Sequence, residues 1–433
     1  MLQLRRARVP LAVLASGFED GPVDSIEPSV VCDITVENGG ILRVEPSDTG
    51  VAVAGDRDGQ RDLAGAIVVP GFVDAHVHLD KTHTWFRAPN RSGTFAEALE
   101  VLWQDKENWS EDDLLRRASF ALGCAWAHGT RVMRTHVDSG FSGAATSHGV
   151  MARLREQWRG RIELQTVPLC RIDEYATPRG EAIADLAIEH GAAALRGMPL
   201  MSGELPRQLD RLLALARERG VGLDFHVDES GNAEAACLRA VADAVLRNGF
   251  EYPVVCGHCC SLAVQGEEQQ RATIDLVKAA GIAVISLPLC NLYLQDRRGN
   301  GFPRTPHWRG LTLIQDLLDA GVPVACASDN VRDAFHAHGD YSMLEVYTQS
   351  VRLAHLDGRL GDSLRVVTVA AADIVGRREY GRITPGLPAQ LLVFAARSHS
   401  ELLSRMQTPT HFVDGETICV PELPDFCELM DLA

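Results

Sequence analysis

The sequence predicts an α/β protein, a (β/α)8 TIM-like barrel carrying a small β-sandwich domain formed by both chain ends. Three observations lead there. Eight short apolar segments, mostly β-branched or small, recur at 66–77, 131–137, 162–169, 193–200, 222–227, 253–259, 282–289 and 323–328. Stretches able to form helices lie between most of them, the alternation a barrel needs. No Gly-rich nucleotide turn follows the first segment, as a doubly wound sheet would usually show.

The elements follow in order. The first 66 residues read as short strands and turns. Arg5, Arg6 and Arg8 ahead of Val9 to Ala15 loosely imitate a signal peptide. That apolar stretch is short and broken by Pro10, so an N-terminal strand is expected instead. Residues 33–45 alternate apolar and polar on either side of Asn38-Gly39-Gly40, a hairpin pattern. Residues 385–394 supply a matching turn and apolar strand near the other end. The sandwich domain is therefore assigned to 1–66 and 377–433, and the barrel to 67–376. Within the barrel, Leu209, Leu212, Leu213 and Ala216 fall on one helical face, and Gly220 suits the helix end. Residues 272–281 and 313–321 repeat the order of helix, Gly and strand.

Composition narrows the function. The 433 residues carry 42 basic and 58 acidic side chains, a formal charge of −16. An acidic surface repels phosphate backbones, which argues against nucleic acid. No apolar run approaches a membrane span. Eleven cysteines without a repeated spacing fit a reducing, cytoplasmic setting rather than a disulfide framework.

In such barrels chemistry gathers at the C-terminal ends of the strands. The first segment ends on His76 and His78, the fifth on His226 followed by Glu229, the sixth on His258, and the eighth on Asp329 and Asn330. His76 and His78 are two apart, so in a strand they point the same way. With His226 and Asp329 they make three imidazoles and a carboxylate, a set that holds one divalent metal. Such a metal lowers the pKa of a bound water toward ~7. Cys256, Cys259 and Cys260 flank His258 and read either as thiolate ligands or as small apolar fillers. His136 reads as support for the site or as a core histidine. His336 and His338 belong to the pocket rim or to the surface.

These residues carry a family resemblance. Val-Val-Pro-Gly-Phe-Val-Asp-Ala-His-Val-His-Leu-Asp over 68–80 resembles the first strand of the amidohydrolase superfamily. Within it the chain is similar to the bacterial cytosine deaminase branch. The motifs are His-Leu-Asp-Lys-Thr at 78–82, Arg-Thr-His-Val-Asp at 134–138, Leu164-Gln165, His-Val-Asp-Glu at 226–229, Gly257-His258, Pro-Leu-Cys-Asn-Leu-Tyr-Leu-Gln at 288–295 and Ser-Asp-Asn at 328–330. The resemblance implies that His76, His78, His226 and Asp329 bind one iron or zinc ion. It implies that Glu229 shuttles a proton to a ring nitrogen, that His258 and Asp329 hold the hydrolytic water, and that Gln165 reads the ring's carbonyl edge. It also implies a homo-oligomer.

Only three lysines occur, Lys81, Lys106 and Lys278. Related two-metal enzymes bridge their ions with a modified Lys on the fourth strand, where none stands here, so a single ion is expected. The family's best-known cytosine deaminases carry Asp where Asn330 stands and Trp where Phe335 stands. Both positions are expected to touch substrate. The resemblance implies hydrolytic deamination of a cyclic amidine with release of ammonia, of cytosine or a related pyrimidine such as isocytosine or 5-methylcytosine; hydrolysis of another nitrogen heterocycle, an aminotriazine or a cyclic amide, is the alternative. A non-catalytic metal-containing binding protein is the alternative of a different class.

Overall fold

The computed structural model describes residues 1–14, 27–47, 59–297 and 304–432. The chain divides into two compact units, one of residues 1–73, 124–132 and 342–423, the other of 74–123, 133–341 and 424–433.

The first unit is built on an eight-stranded sheet to which both ends of the chain contribute. Leu2–Pro10 pairs antiparallel with Ser29–Glu37, which pairs in turn with Gly40–Pro46. The turn between those two strands is the one expected at Asn38-Gly39, with φ of +51° and +80°. Positive φ at both central residues gives the turn whose twist matches paired strands, and Asn-Gly tolerates it best. Gln390–Phe394 pairs with Ile67–Pro70 and with His411–Asp414. The segment expected as one strand over 66–77 is thus two. Ile67–Pro70 joins this sheet, and Phe72–Val77 begins another after Gly71.

The second unit is α/β. Ala194–Leu195, Gly222–Val227, Val254–His258, Ala283–Ser286 and Val324–Cys326 lie side by side as a parallel sheet. Phe72–Val77, Thr130–Asp138 and Glu163–Leu169 form a three-stranded sheet. The intervening helices are amphipathic. Leu205–Glu218 buries Leu205, Leu209, Leu212, Leu213 and Ala216 and turns its arginines outward. Ile314–Ala320 stops at Gly321, which takes the left-handed conformation (φ +83°) that a helix C-terminus favours.

One alternation positions everything that follows. Side chains in a strand alternate sides. Leu223, Phe225 and Val227 therefore share one face of Gly222–Val227, and Asp224 and His226 the other. Asp74 and His76, and Arg134, His136 and Asp138, do the same on their strands. All of these polar groups are buried. The interior face of the strands is thus polar and its cost must be met by mutual pairing or by a ligand. Among the described residues no helix is long and apolar enough to cross a membrane.

Candidate metal centre and active site

Four side chains converge. His76 Nε2 lies 3.1 Å from His226 Nε2, which lies 3.2 Å from His78 Nε2. Asp329 Oδ1 is 3.2 Å from His78 Nε2 and 3.7 Å from His76 Nε2. Ligands about 2.1 Å from a tetrahedral ion stand about 3.4 Å apart, which is the spacing seen. Burial pushes the pKa of all three histidines well down, so they present neutral lone pairs. Both carboxylate oxygens of Asp329 are buried without a hydrogen-bond partner. A buried carboxylate so placed needs a cation, and the set His76, His78, His226 and Asp329 suits a divalent one.

The backbone holds this geometry. Asp329 donates its N–H to the His76 carbonyl at 3.0 Å, and Val77 and Asp329 form a parallel bridge. Ser328 donates its N–H to Asp74 at 3.1 Å. Asp329 (φ +63°) and His258 (φ +70°) both adopt the left-handed region. Such residues cost about 1–3 kcal/mol each and persist only where their surroundings dictate them.

Beside the cluster stands Glu229, with its side chain 15% exposed and Oε1 3.4 Å from His258 Nδ1. Asn291 Nδ2 donates to that Oε1 at 3.2 Å and lies 3.1 Å from His258 Nδ1. Gln295, just past the short helix Pro288–Leu294 and four residues on from Asn291, donates to the Glu229 carbonyl at 3.2 Å. Burial, then the nearby Asp329, raises the Glu229 carboxyl well above its ordinary range. His258 is held neutral, its pKa lowered by burial to about 3. With Nδ1 accepting from Asn291, its proton sits on Nε2. Sequence reasoning places Asn291 and Gln295 in a family motif but gives them no role. Their i, i+4 spacing was the available signal.

His78, His226, Glu229 and His258 open into a cleft. Its other walls are apolar side chains of the helix Phe95–Asp105, together with Leu169, Met198 and Phe335. Lys81, Lys106, Asp138 and Asn330 add polar atoms. Of the expected substrate residues, Asn330 and Phe335 line this cleft. Asn330 Nδ2 donates to Asp333 at 2.6 Å, and the Asp333 carboxylate also takes the Phe335 and His336 N–H groups. Gln165 stands elsewhere: its Oε1 accepts from Arg134 Nε at 2.9 Å, and Arg134 pairs with Asp224.

The remaining candidates also find places. The His136 ring stacks 3.9 Å from that of His76, with both nitrogens unpartnered. Cys256, Cys259 and Cys260 are buried thiols whose pKa burial raises well up, so they fill space as neutral groups. His336 is buried against the Asn330 carbonyl, while His338 is exposed.

Fold and site together define a hydrolase built around a three-histidine, one-carboxylate centre. The model of the amidohydrolase family matches residues 60–118 and 128–411, and the chain belongs to that family. It is 43% identical to a pterin deaminase of Rhizobium rhizogenes, over 98% of this chain and 95% of the other. It resembles 5-methylcytosine deaminase of Klebsiella pneumoniae liganded with 5-fluorocytosine, with a TM-score of 0.84 and 24% identity over 98% of each chain. It also resembles a zinc complex of atrazine chlorohydrolase from Arthrobacter aurescens, with a TM-score of 0.67 and 17% identity over 100% and 99% of the two chains. The protein is a hydrolase acting on carbon–nitrogen bonds.

Proposed function

We propose that this protein is a metal-dependent deaminase of a pterin-like amino heterocycle, with cytosine and its relatives as the smaller alternatives. The observation that carries the ring class is the 43% identity, along nearly the whole chain, to a pterin deaminase. The cleft supports an aromatic heterocycle: its walls are largely apolar, with a few polar groups set among them. The reading includes closure of the two sheets into one (β/α)8 barrel, for which the parallel bridges Val77–Asp329 and Arg171–Met198 are the support.

His76, His78, His226 and Asp329 would hold a divalent cation, iron or zinc, which would supply the Lewis acidity that makes water a nucleophile at neutral pH. The chain's own residues do the rest. Glu229 takes a proton from the attacking water and passes it to the ring nitrogen beside the amino-bearing carbon. Asn291 fixes that carboxyl and the His258 ring together. His258 and Asp329 orient the water. Adding water across the ring C=N bond and breaking the C–NH2 bond releases ammonia and leaves a ring carbonyl. Phe335, packed 5.6 Å from the Phe95 ring, forms one apolar wall against the substrate ring.

Ammonia release from pterin, cytosine, 5-methylcytosine, isocytosine and an aminotriazine tests the reading. Release from pterin above the pyrimidines is expected. Activity confined to cytosine would move the assignment to the smaller ring, and silence on all five would remove deamination. Metal analysis of active protein is expected to find about one ion per chain, because the four ligands converge on one centre and no lysine stands between Lys106 and Lys278 to bridge a second. Two ions per active chain would overturn the single-ion centre.

A further inference from the structure

We infer that Lys81 binds an oxygen acceptor on the substrate ring, so that the enzyme selects amino heterocycles that also carry an oxo group. This rests on the deaminase reading and names the substrate class within it.

Lys81 lines the cleft beside Glu229 and Asn330, yet its side chain is only 4% exposed. An ammonium has three N–H donors and no acceptor. One goes to Asp138 Oδ1 at 2.9 Å. The other Asp138 oxygen is taken by Lys106 Nζ at 2.7 Å. Lys106 is itself enclosed by the rings of Trp103 and Phe141, at 3.9 and 4.7 Å. The other nearby carboxylates make no hydrogen bond to this ammonium, although Asp80 Oδ1 is itself buried without a partner. Asp80 Oδ2 accepts the Asp138 N–H at 2.7 Å, and Asp333 accepts from Asn330, Phe335 and His336. The Phe335 ring, 5.6 Å from the ammonium, offers no lone pair. Lys81 therefore brings spare, strongly polarised donors into a largely apolar cleft, where a buried donor without an acceptor is costly.

Elimination points the same way. A ring carbonyl in this cleft needs a donor. Gln165 does not line the cleft. The Asn330 amide is neutral and spends one of its two N–H groups on Asp333. Lys106 is boxed by aromatic rings. Arg171 is paired through Nε and Nη2 with Asp173, so Lys81 is the buried cationic donor with spare N–H groups in this cleft.

The test uses paired probes that differ only in the oxo group, isocytosine against 2-aminopyrimidine. Binding to the metal-loaded Glu229→Gln protein is followed by fluorescence of Trp103, which lines the cleft. Lys81 unmutated is expected to favour isocytosine at least tenfold. Lys81→Met should weaken isocytosine about 10- to 100-fold while moving 2-aminopyrimidine less than twofold. Lys81→Arg should recover part of the loss. Equal affinity for both probes with Lys81 present, or an unchanged preference in Lys81→Met, overturns the inference, and the first comparison needs no variant at Lys81 to fold. Lys81-dependent preference in a protein whose unsubstituted form releases no ammonia would leave this inference standing and remove the deaminase reading. Deamination with a preference indifferent to Lys81 would do the reverse.

Discussion

Replacing Glu229 by Gln is expected to lower kcat about a hundred- to ten-thousand-fold, the span a single positioned acid–base group contributes. The substitution is nearly isosteric. The new amide oxygen can still accept from Asn291 Nδ2, which now meets Oε1 at 3.2 Å, so the local structure has little reason to change. What disappears is the ability to take up and give back a proton. Metal content should stay at its original level, because Glu229 lies beside the four ligands and is not one of them. Steady-state kinetics and metal analysis on the same preparation check both halves. Turnover within threefold of the original would take Glu229 out of the reaction. Loss of metal together with activity would instead make it a ligand.

Replacing Arg117 by Met is expected to have the largest effect on stability. Its guanidinium is fully buried and spends its donors on three groups. It contacts Asp113 Oδ2 through Nε at 3.0 Å and Nη2 at 2.6 Å, the Asp80 carbonyl at 2.9 Å and the Thr82 carbonyl at 2.7 Å. The last two belong to the segment that leaves the metal strand and carries Lys81. A Met of similar length fills the space but leaves two buried carbonyls without donors. The Asp113 carboxylate keeps only Arg87. Breaking a buried ion pair from one side costs about 3–5 kcal/mol. Urea unfolding of the metal-loaded protein should show a loss of that size, with weaker metal retention. A change below about 1 kcal/mol would mean that water replaces the guanidinium without penalty.

How much of this was legible in the chain depends on the range over which each feature is determined. The hairpin at Asn38-Gly39 depends on two residues' tolerance of positive φ, and it formed where expected. The helix predicted around 209–220 depends on apolar spacing over three turns, and it formed as Leu205–Glu218. The donor types and their strand-end positions were likewise readable, because a histidine pair two apart in a strand must share a face. The fourth strand was expected over 193–200 but forms only Ala194–Leu195, and the first was split at Gly71. Strand ends depend on neighbours that local pattern does not specify.

The side chains that look into the cleft show the other limit. Gln165 and Lys81 belong to different segments, and nothing within a few residues of either says which lines the cleft. Gln165 turns to Arg134, 31 positions away, and Lys81 meets Lys106 on one carboxylate at Asp138. The sequence by itself determined the family, the donor residues that converge at His76, His78, His226 and Asp329, and the strand–helix alternation that carries them. These follow from residue type and short-range period. Only the tertiary structure decided which polar groups are consumed by one another and which are left with spare donors for a ligand. Hydrogen-bond saturation is a property of the whole buried network, and no segment holds that information alone.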